Sequence, residues 1–235
     1  MGRWQKVMLK ISGEAFLGKY AHGQDLEAVE SLASDISSVV KANIQLCIVV
    51  GGGNIARGST MDLTKIDRAR ADYMGMLGTV INALCLQAML DNIGIKSKVL
   101  SSVAMDSICD TYSQERALHY MSQGMVVIFA AGTGNPFVST DTAAVFRGIE
   151  MHCDVLLKGT QVEGVYSEDP KKEKDAHKFD QLTYDEVISK GLRVMDLPAV
   201  SVAKEHKLPL IVFSIHKKDA ILEVLKSKGS FTIIR

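Results

Sequence analysis

The sequence predicts an α/β fold, with a mostly parallel central sheet covered by helices on both faces. Short apolar runs alternate with helix-spaced amphipathic segments along the whole chain, the pattern of repeated βαβ units. Most of those runs lack polar alternation, as strands covered on both faces must. Several end in glycine-rich turns, at the sheet edge where open α/β folds bind ligands. With 235 residues, 47% of them hydrophobic, the chain can enclose a large core, and we read residues 1–235 as a single domain.

Val7–Ile11 is the first strand, with Lys10 near its end and Ser12-Gly13 turning the chain. A lysine there either reaches an anion in the edge crevice or is simply solvated. Gly13–Lys19 fits the G-x-x-x-x-G-K phosphate loop, but Tyr20 stands where a magnesium-holding Ser or Thr belongs, and no helix follows. That match is rejected. Asp25 caps a helix running to about Ala42, with Leu26, Val29, Leu32, Ala33, Ile36, Val39 and Val40 at helical spacing.

Ile44–Val50 is the second strand. Gly51-Gly52-Gly53-Asn54 follows, then Arg57 and Gly58: backbone N–H groups for an anion nest and a guanidinium fork for phosphate. Gly51–Ala56 also fits the loose dinucleotide fingerprint, but the required acidic residue, Asp72, falls at a helix start rather than a strand end. Ala69–Leu90 is a long helix. Its stripe of Tyr73, Leu77, Val80, Ile81, Leu84 and Ala88 is expected to face the core, and Met74, Met76, Cys85 and Met89 widen it enough to suggest a subunit interface. Asp72, in its first turn, either accepts from sugar hydroxyls or favours the helix dipole.

Val99-Leu100 belongs to a third strand and Gln114–Ser122 to a helix. Met125–Ala130 is a buried strand that runs into Gly132-Thr133-Gly134-Asn135-Pro136, and Ser139 caps a helix over Thr142–Met151, with Val145, Phe146 and Ile149 on one face. Hydroxyls, an amide and free N–H groups thus gather at one sheet edge. Cys153–Leu157 is a strand followed by Lys158 and Gly159-Thr160, and Gln161–Pro170 is a long loop. In it Tyr166 either stacks on a purine or covers the core. Thr183–Glu186 forms a capping box, and Asp196-Leu197-Pro198 opens another helix. Leu210–Phe213 is a strand, Lys218–Lys228 a helix ended by Gly229, and Phe231–Ile234 the last strand.

Lys+Arg and Asp+Glu both number 27, so nothing points to wholesale nucleic-acid or acidic-membrane binding; any anion site is local. Cys47, Cys85, Cys109 and Cys153 show no CxxC spacing and read as buried thiols of a reducing compartment. His152-Cys153-Asp154 looks metal-like, but neighbours on a strand point to opposite faces. The start has no signal-peptide core, and no apolar run approaches a membrane span.

Together, Lys10–Glu14, Gly51–Asn54 with Arg57-Gly58, Asp72–Leu77, Gly132–Asp141, Lys158–Thr160, Gly164–Tyr166 with Asp169-Pro170, and Val194–Leu197 resemble the bacterial uridylate (UMP) kinases of the amino acid kinase family, nearly end to end. The resemblance implies a three-layer αβα sandwich and the reaction ATP + UMP → ADP + UDP in pyrimidine nucleotide (UTP/CTP) biosynthesis. It implies Mg2+ carried by the ATP phosphates without dedicated protein ligands, a cytoplasmic homohexamer, UTP as feedback inhibitor, and no nucleic-acid or membrane partner. Carried over by position, ATP would meet Lys10, Ile11, Ser12, Gly13, Gly53, Arg57, Thr160, Tyr166 and Asp169. UMP would meet Gly52, Asp72, Thr133, Gly134, Asn135, Pro136, Phe137, Val138, Ser139 and Thr140. Lys10, Arg57, Asp141 and Lys158 would be catalytic. Residues 1–150 would carry the UMP site and 151–235 most of the ATP site.

The chain departs from the family pattern at Ala21–Asp25 in the effector region, at Gln161–Glu163, and at Val138-Ser139. The alternatives are a kinase of the same family acting on carbamate or an amino acid, a non-catalytic nucleotide-binding relative, and a dinucleotide-dependent oxidoreductase.

Overall fold

The computed structural model describes residues 4–56, 64–170, 172–173, 175–192 and 194–235. The strands are β1 (Lys6–Ile11), β2 (Gln45–Val50), β3 (Ser97–Ser101), β4 (Asp110–Thr111), β5 (Val126–Ala130), β6 (Val155–Thr160), β7 (Val165–Tyr166), β8 (Lys178–Phe179), β9 (Gln181–Leu182), β10 (Leu210–Ser214) and β11 (Phe231–Ile234). The helices are α1 (Leu26–Lys41), α2 (Arg68–Asn92), α3 (Gln114–Ser122), α4 (Thr140–Glu150), α5 (Tyr184–Ser189), α6 (Leu197–Glu205) and α7 (Ala220–Leu225). The main sheet has the order β4-β3-β5-β2-β1-β6-β10-β11-β9. Its pairings are parallel except β10 with β11. Strands β7 and β8 form a separate antiparallel pair.

Alternation along the strands splits the interior into two cores. On one face, Val7, Leu9 and Ile11 of β1 pack with α1, α2 and α7 through Ile36, Leu86 and Ile221. On the other, Met8 packs with α3, α4 and α6 through Ala117, Val145 and Val200. Lys10 follows the parity of Met8 and so leaves the sheet on the α4 side. The architecture is the expected αβα sandwich, and each face buries one apolar stripe per helix.

Several element expectations need correction. The buried side of α2 is Ala71, Met76, Val80, Ala83, Leu86 and Leu90, while Tyr73, Leu77, Ile81 and Ala88 face outward. The helix is apolar nearly all round, so spacing alone could not say which side would meet the sheet. It is also long and apolar enough to cross a membrane by length and composition, contrary to expectation, although one side packs in the core. Helix α4 starts at Thr140, directly after its cap Ser139, and buries Ala144, Val145 and Gly148 while Phe146 is exposed. Helix α7 is two residues late because Asp219 adopts a left-handed φ of 58° and gives its N–H to the Asp35 carboxylate. Leu26 is exposed despite its place in the α1 spacing. Of the cysteines only Cys47 is fully buried, and all four are free thiols.

Candidate active site

The parallel register of β1 and β6 sets Lys10 opposite Lys158, so both ammonium groups leave the same face of the sheet. Two like charges side by side need an anion, and the N-terminus of α4 supplies it. Ser139 caps that helix by accepting from the N–H groups of Asp141 and Thr142, both at 3.1 Å. Asp141, in the first turn, then reaches both lysines. Its Oδ1 is 2.8 Å from Lys10 Nζ and its Oδ2 2.6 Å from Lys158 Nζ. Lys158 Nζ also donates to the carbonyl of Val194.

Burial alone would raise the Asp141 carboxyl, but the two ammonium groups outweigh it and hold it below the ordinary carboxylate range. Burial lowers the Lys158 ammonium below the usual lysine value, with Asp141 opposing that shift and Lys10 adding to it. Thr142 donates to Asp196 Oδ2 at 2.8 Å, which draws the Asp196 side chain away from capping its own helix, α6. The other oxygen, Asp196 Oδ1, is buried with no partner among the described residues.

Glycine loops bring the remaining edge together. A Cβ on Gly13 would lie 2.5 Å from Asn54 Oδ1 and 2.8 Å from the Gly53 nitrogen, so the β1 turn rests directly on the β2 turn. A Cβ on Gly52 would lie 2.4 Å from the Gly75 carbonyl, so only glycine permits the β2 turn to meet the backbone of α2. Asn82, buried in α2, donates to the Gly51 carbonyl at 2.7 Å and to Asn54 Oδ1 at 2.7 Å, fixing this turn from beneath. Beside it opens a cavity of about 590 Å³ between the β2 turn, the start of α2 and the loop before α4.

The cavity gathers Gly52, Asp72, Val138, Ser139 and Thr140 of the expected UMP set, together with Gly53 and Asp141. Asp72 sits in the second turn of α2, because Asp67 is the cap. Its carboxylate accepts from Arg68 Nε at 2.9 Å and from the Phe137 N–H at 2.8 Å, so it ties the helix to the loop. Thr133, Gly134, Asn135, Pro136 and Phe137 do not line the cavity, and the Phe137 ring projects into solvent, 70% exposed.

Of the residues expected to meet ATP, Ser12 caps a 3-10 turn over Gly13–Phe16, and Ile11 is buried in the core. Thr160 ends β6 and donates to the Val162 carbonyl at 2.8 Å. Tyr166 is half-buried on β7, and Asp169 is exposed in the following loop. Arg57 lies outside the described residues. Lys19 of the rejected phosphate loop is exposed beside Glu27, at 3.6 Å.

The sequence profile of the amino acid kinase family matches residues 5–214. The chain belongs to the amino acid kinase family. Among curated relatives, it is 49% identical to the uridylate kinase of Wolbachia sp. subsp. Brugia malayi, over 99% of this chain and 94% of that one. It is 47% identical to the uridylate kinase of Paramagnetospirillum magneticum, over 99% and 97%. Among solved structures, UMP kinase from Bacillus anthracis superposes with a TM-score of 0.95 at 35% identity, covering 99% of this chain and 96% of that one. UMP kinase from Ureaplasma parvum gives 0.94 at 35%, covering 99% of each.

The edge also recruits residues that sequence reasoning did not assign to the site. Arg68, Met76 and Thr79 of α2 line the cavity, and the Ala131 N–H donates to Thr79 Oγ1 at 2.6 Å. Asp196 joins the site through Thr142. The signal for the α2 residues was the pair Gly75 and Gly78, whose lack of side chains marks the side that another backbone approaches.

Proposed function

We propose that this chain catalyses transfer of the ATP γ-phosphoryl group to UMP, giving ADP and UDP. The observation that carries the reading is the Lys10–Asp141–Lys158 bridge, whose Asp141 lines the cavity. Full-length likeness to uridylate kinases supports the choice of acceptor.

Phosphoryl transfer asks a protein mainly to position reactants and neutralise charge. An oxygen of the UMP phosphate is already an anionic nucleophile. It attacks the γ-phosphorus while the bond to the β–γ bridging oxygen breaks and ADP leaves with that electron pair. No side chain has to remove a proton. Lys10 and Lys158 supply positive charge to the transferring group, and Asp141 fixes where both ammonium groups stand. Lys10, Ile11, Ser12, Gly13, Gly53, Arg57, Thr160, Tyr166 and Asp169 serve the ATP side in this reading, and Gly52, Asp72 and residues 133–140 serve UMP.

Magnesium suits the donor set as a nucleotide-borne ion. Among the described residues no cluster of three or more carboxylate, histidine or cysteine groups could cage a metal, while Asp196 offers one buried unpartnered carboxylate oxygen near Lys158. When bound, the ion would neutralise phosphate charge. A cytoplasmic homo-oligomer, a hexamer by family resemblance, with UTP as feedback inhibitor, completes the proposal. So does the division of labour between residues 1–150 and 151–235.

An acceptor screen with ATP tests it. UMP should be the preferred acceptor, with CMP poor and carbamate and acetylglutamate inactive. A site built to hydrogen-bond one polar edge rejects analogues that leave its own groups unpaired. Equal turnover of CMP would remove the specificity claim, and turnover of carbamate alone would replace the reading.

A further inference from the structure

We infer that Arg147 is a positioning residue for the acceptor loop, acting through Ser102 on the carbonyl of Gly132. Arg147 lies in the last turn of α4 and is only 7% exposed. A cation in the last turn suits the helix dipole, but an exposed side chain would serve that purpose, and burying a charge is costly unless it is paired. The pairing here is directional. Arg147 Nη1 is 2.5 Å from Glu150 Oε2, and the guanidinium lies 3.6 Å from the centre of the Tyr112 ring. Tyr112 in turn donates to Glu150 Oε2 at 2.5 Å. With one arm held this way, Nη2 donates to Ser102 Oγ at 3.0 Å.

Ser102 Oγ donates to the Gly132 carbonyl at 2.7 Å. An arginine can only donate, so its contact occupies a lone pair of the hydroxyl and leaves the single Ser102 hydrogen for Gly132. The charge also polarises that hydroxyl and strengthens the second bond. The loop rests on the same residue twice, because a Cβ on Gly134 would lie 3.0 Å from the Ser102 carbonyl. Gly132 lines the large cavity; Arg147 and Ser102 do not. The arrangement therefore sets the base of the loop without touching what the cavity holds.

This inference rests on the assignment of the loop to the acceptor. The test is steady-state kinetics of Ser102→Ala, Arg147→Lys and the double variant, varying each substrate in turn, with thermal melting alongside. Lysine keeps the charge but cannot span Glu150 and Ser102 with one planar fork. Each single variant should raise KM for UMP about ten-fold, the worth of a charge-assisted hydrogen bond. KM for ATP should stay within about two-fold. The double variant should be no worse than the poorer single, because the two residues act in series. Equal rises in both KM values, or an unchanged KM for UMP in a folded Ser102→Ala, would overturn the inference. Ser102→Ala leaves Arg147 on Glu150 and Tyr112, so it keeps the test decisive if Arg147→Lys does not fold. Wild-type enzyme that phosphorylates a different acceptor would defeat the UMP reading alone, and the same split would then be scored on that acceptor.

Discussion

Asp141 is a carboxylate between two ammonium groups and pairs with both. Its depressed pKa means that its ion pairs stabilise the fold above the ordinary carboxylate value of 3.8 and lose that contribution only as pH falls through the lower folded value. Lys158 has the opposite sensitivity. Its ammonium is less stable than a free lysine's, so it sheds its proton below the usual 10.5. Turnover that depends on this charge should fall along an alkaline limb beginning below that pH. Removing the Asp141 charge takes away the partner that opposes the shift, so Asp141→Asn should move the limb toward neutral pH. A pH profile of kcat checks this, and an unmoved limb would place the controlling group elsewhere. At this scale the sequence was readable where chemistry is local. Lys10 and Lys158 each stand near the end of an apolar strand, and Ser139 stands before a helix. That one carboxylate joins the two lysines depends on strand register and helix placement, which no short stretch encodes.

Helix α2 shows what elements reveal and what they hide. Its length and apolarity were plain, yet Tyr73, Leu77 and Ile81 turned out to be the outward side, with exposures of 46%, 52% and 46%. A helix that is apolar all round gives the hydrophobic effect two candidate stripes, and the choice was made by the glycine loop. Gly52 needs a helix face without side chains, and Gly75 and Gly78 provide it, which fixes the rotation of the whole helix. Of the residues expected to widen the stripe only Met74 is exposed; Met76 is buried and Cys85 and Met89 pack against the core, so the exposed apolar stripe is Tyr73, Met74, Leu77 and Ile81. We expect that stripe to be covered by a second copy of the chain. Leu77→Glu should lower the mass measured by light scattering at micromolar concentration without unfolding the protein. A wild-type monomer under the same conditions would remove the expectation. The two-residue strands β4, β7, β8 and β9 were not legible, because pairs this short owe their conformation to neighbouring chain rather than to their own residues.

Across the whole molecule the fold was legible and the site partly so, for a common reason. A parallel sheet writes itself as repeated apolar runs separated by helical spacing, so its order of elements survives in one dimension. The candidate site is assembled from β1, β2, β5, β6 and the helices α2 and α4, and only topology collects them. Glycine turns and strand-end lysines mark its parts. Thr79, Arg147 and Asp196 act through residues far away in sequence and carry no such mark. The chemistry that the assembly implies depends on cations from two central, adjacent strands. Lys19, which satisfies a phosphate-loop pattern but projects into solvent, has no part in it. The most direct measurement is kcat at saturating ATP and UMP for Lys10→Ala, Lys158→Ala and Lys19→Ala, with circular dichroism confirming each fold. Removing a cation that meets transition-state charge should cost about 100- to 1,000-fold in turnover for either strand lysine. Lys19→Ala should stay within about two-fold of wild type. A dead Lys19→Ala beside a healthy Lys10→Ala and Lys158→Ala would contradict the account.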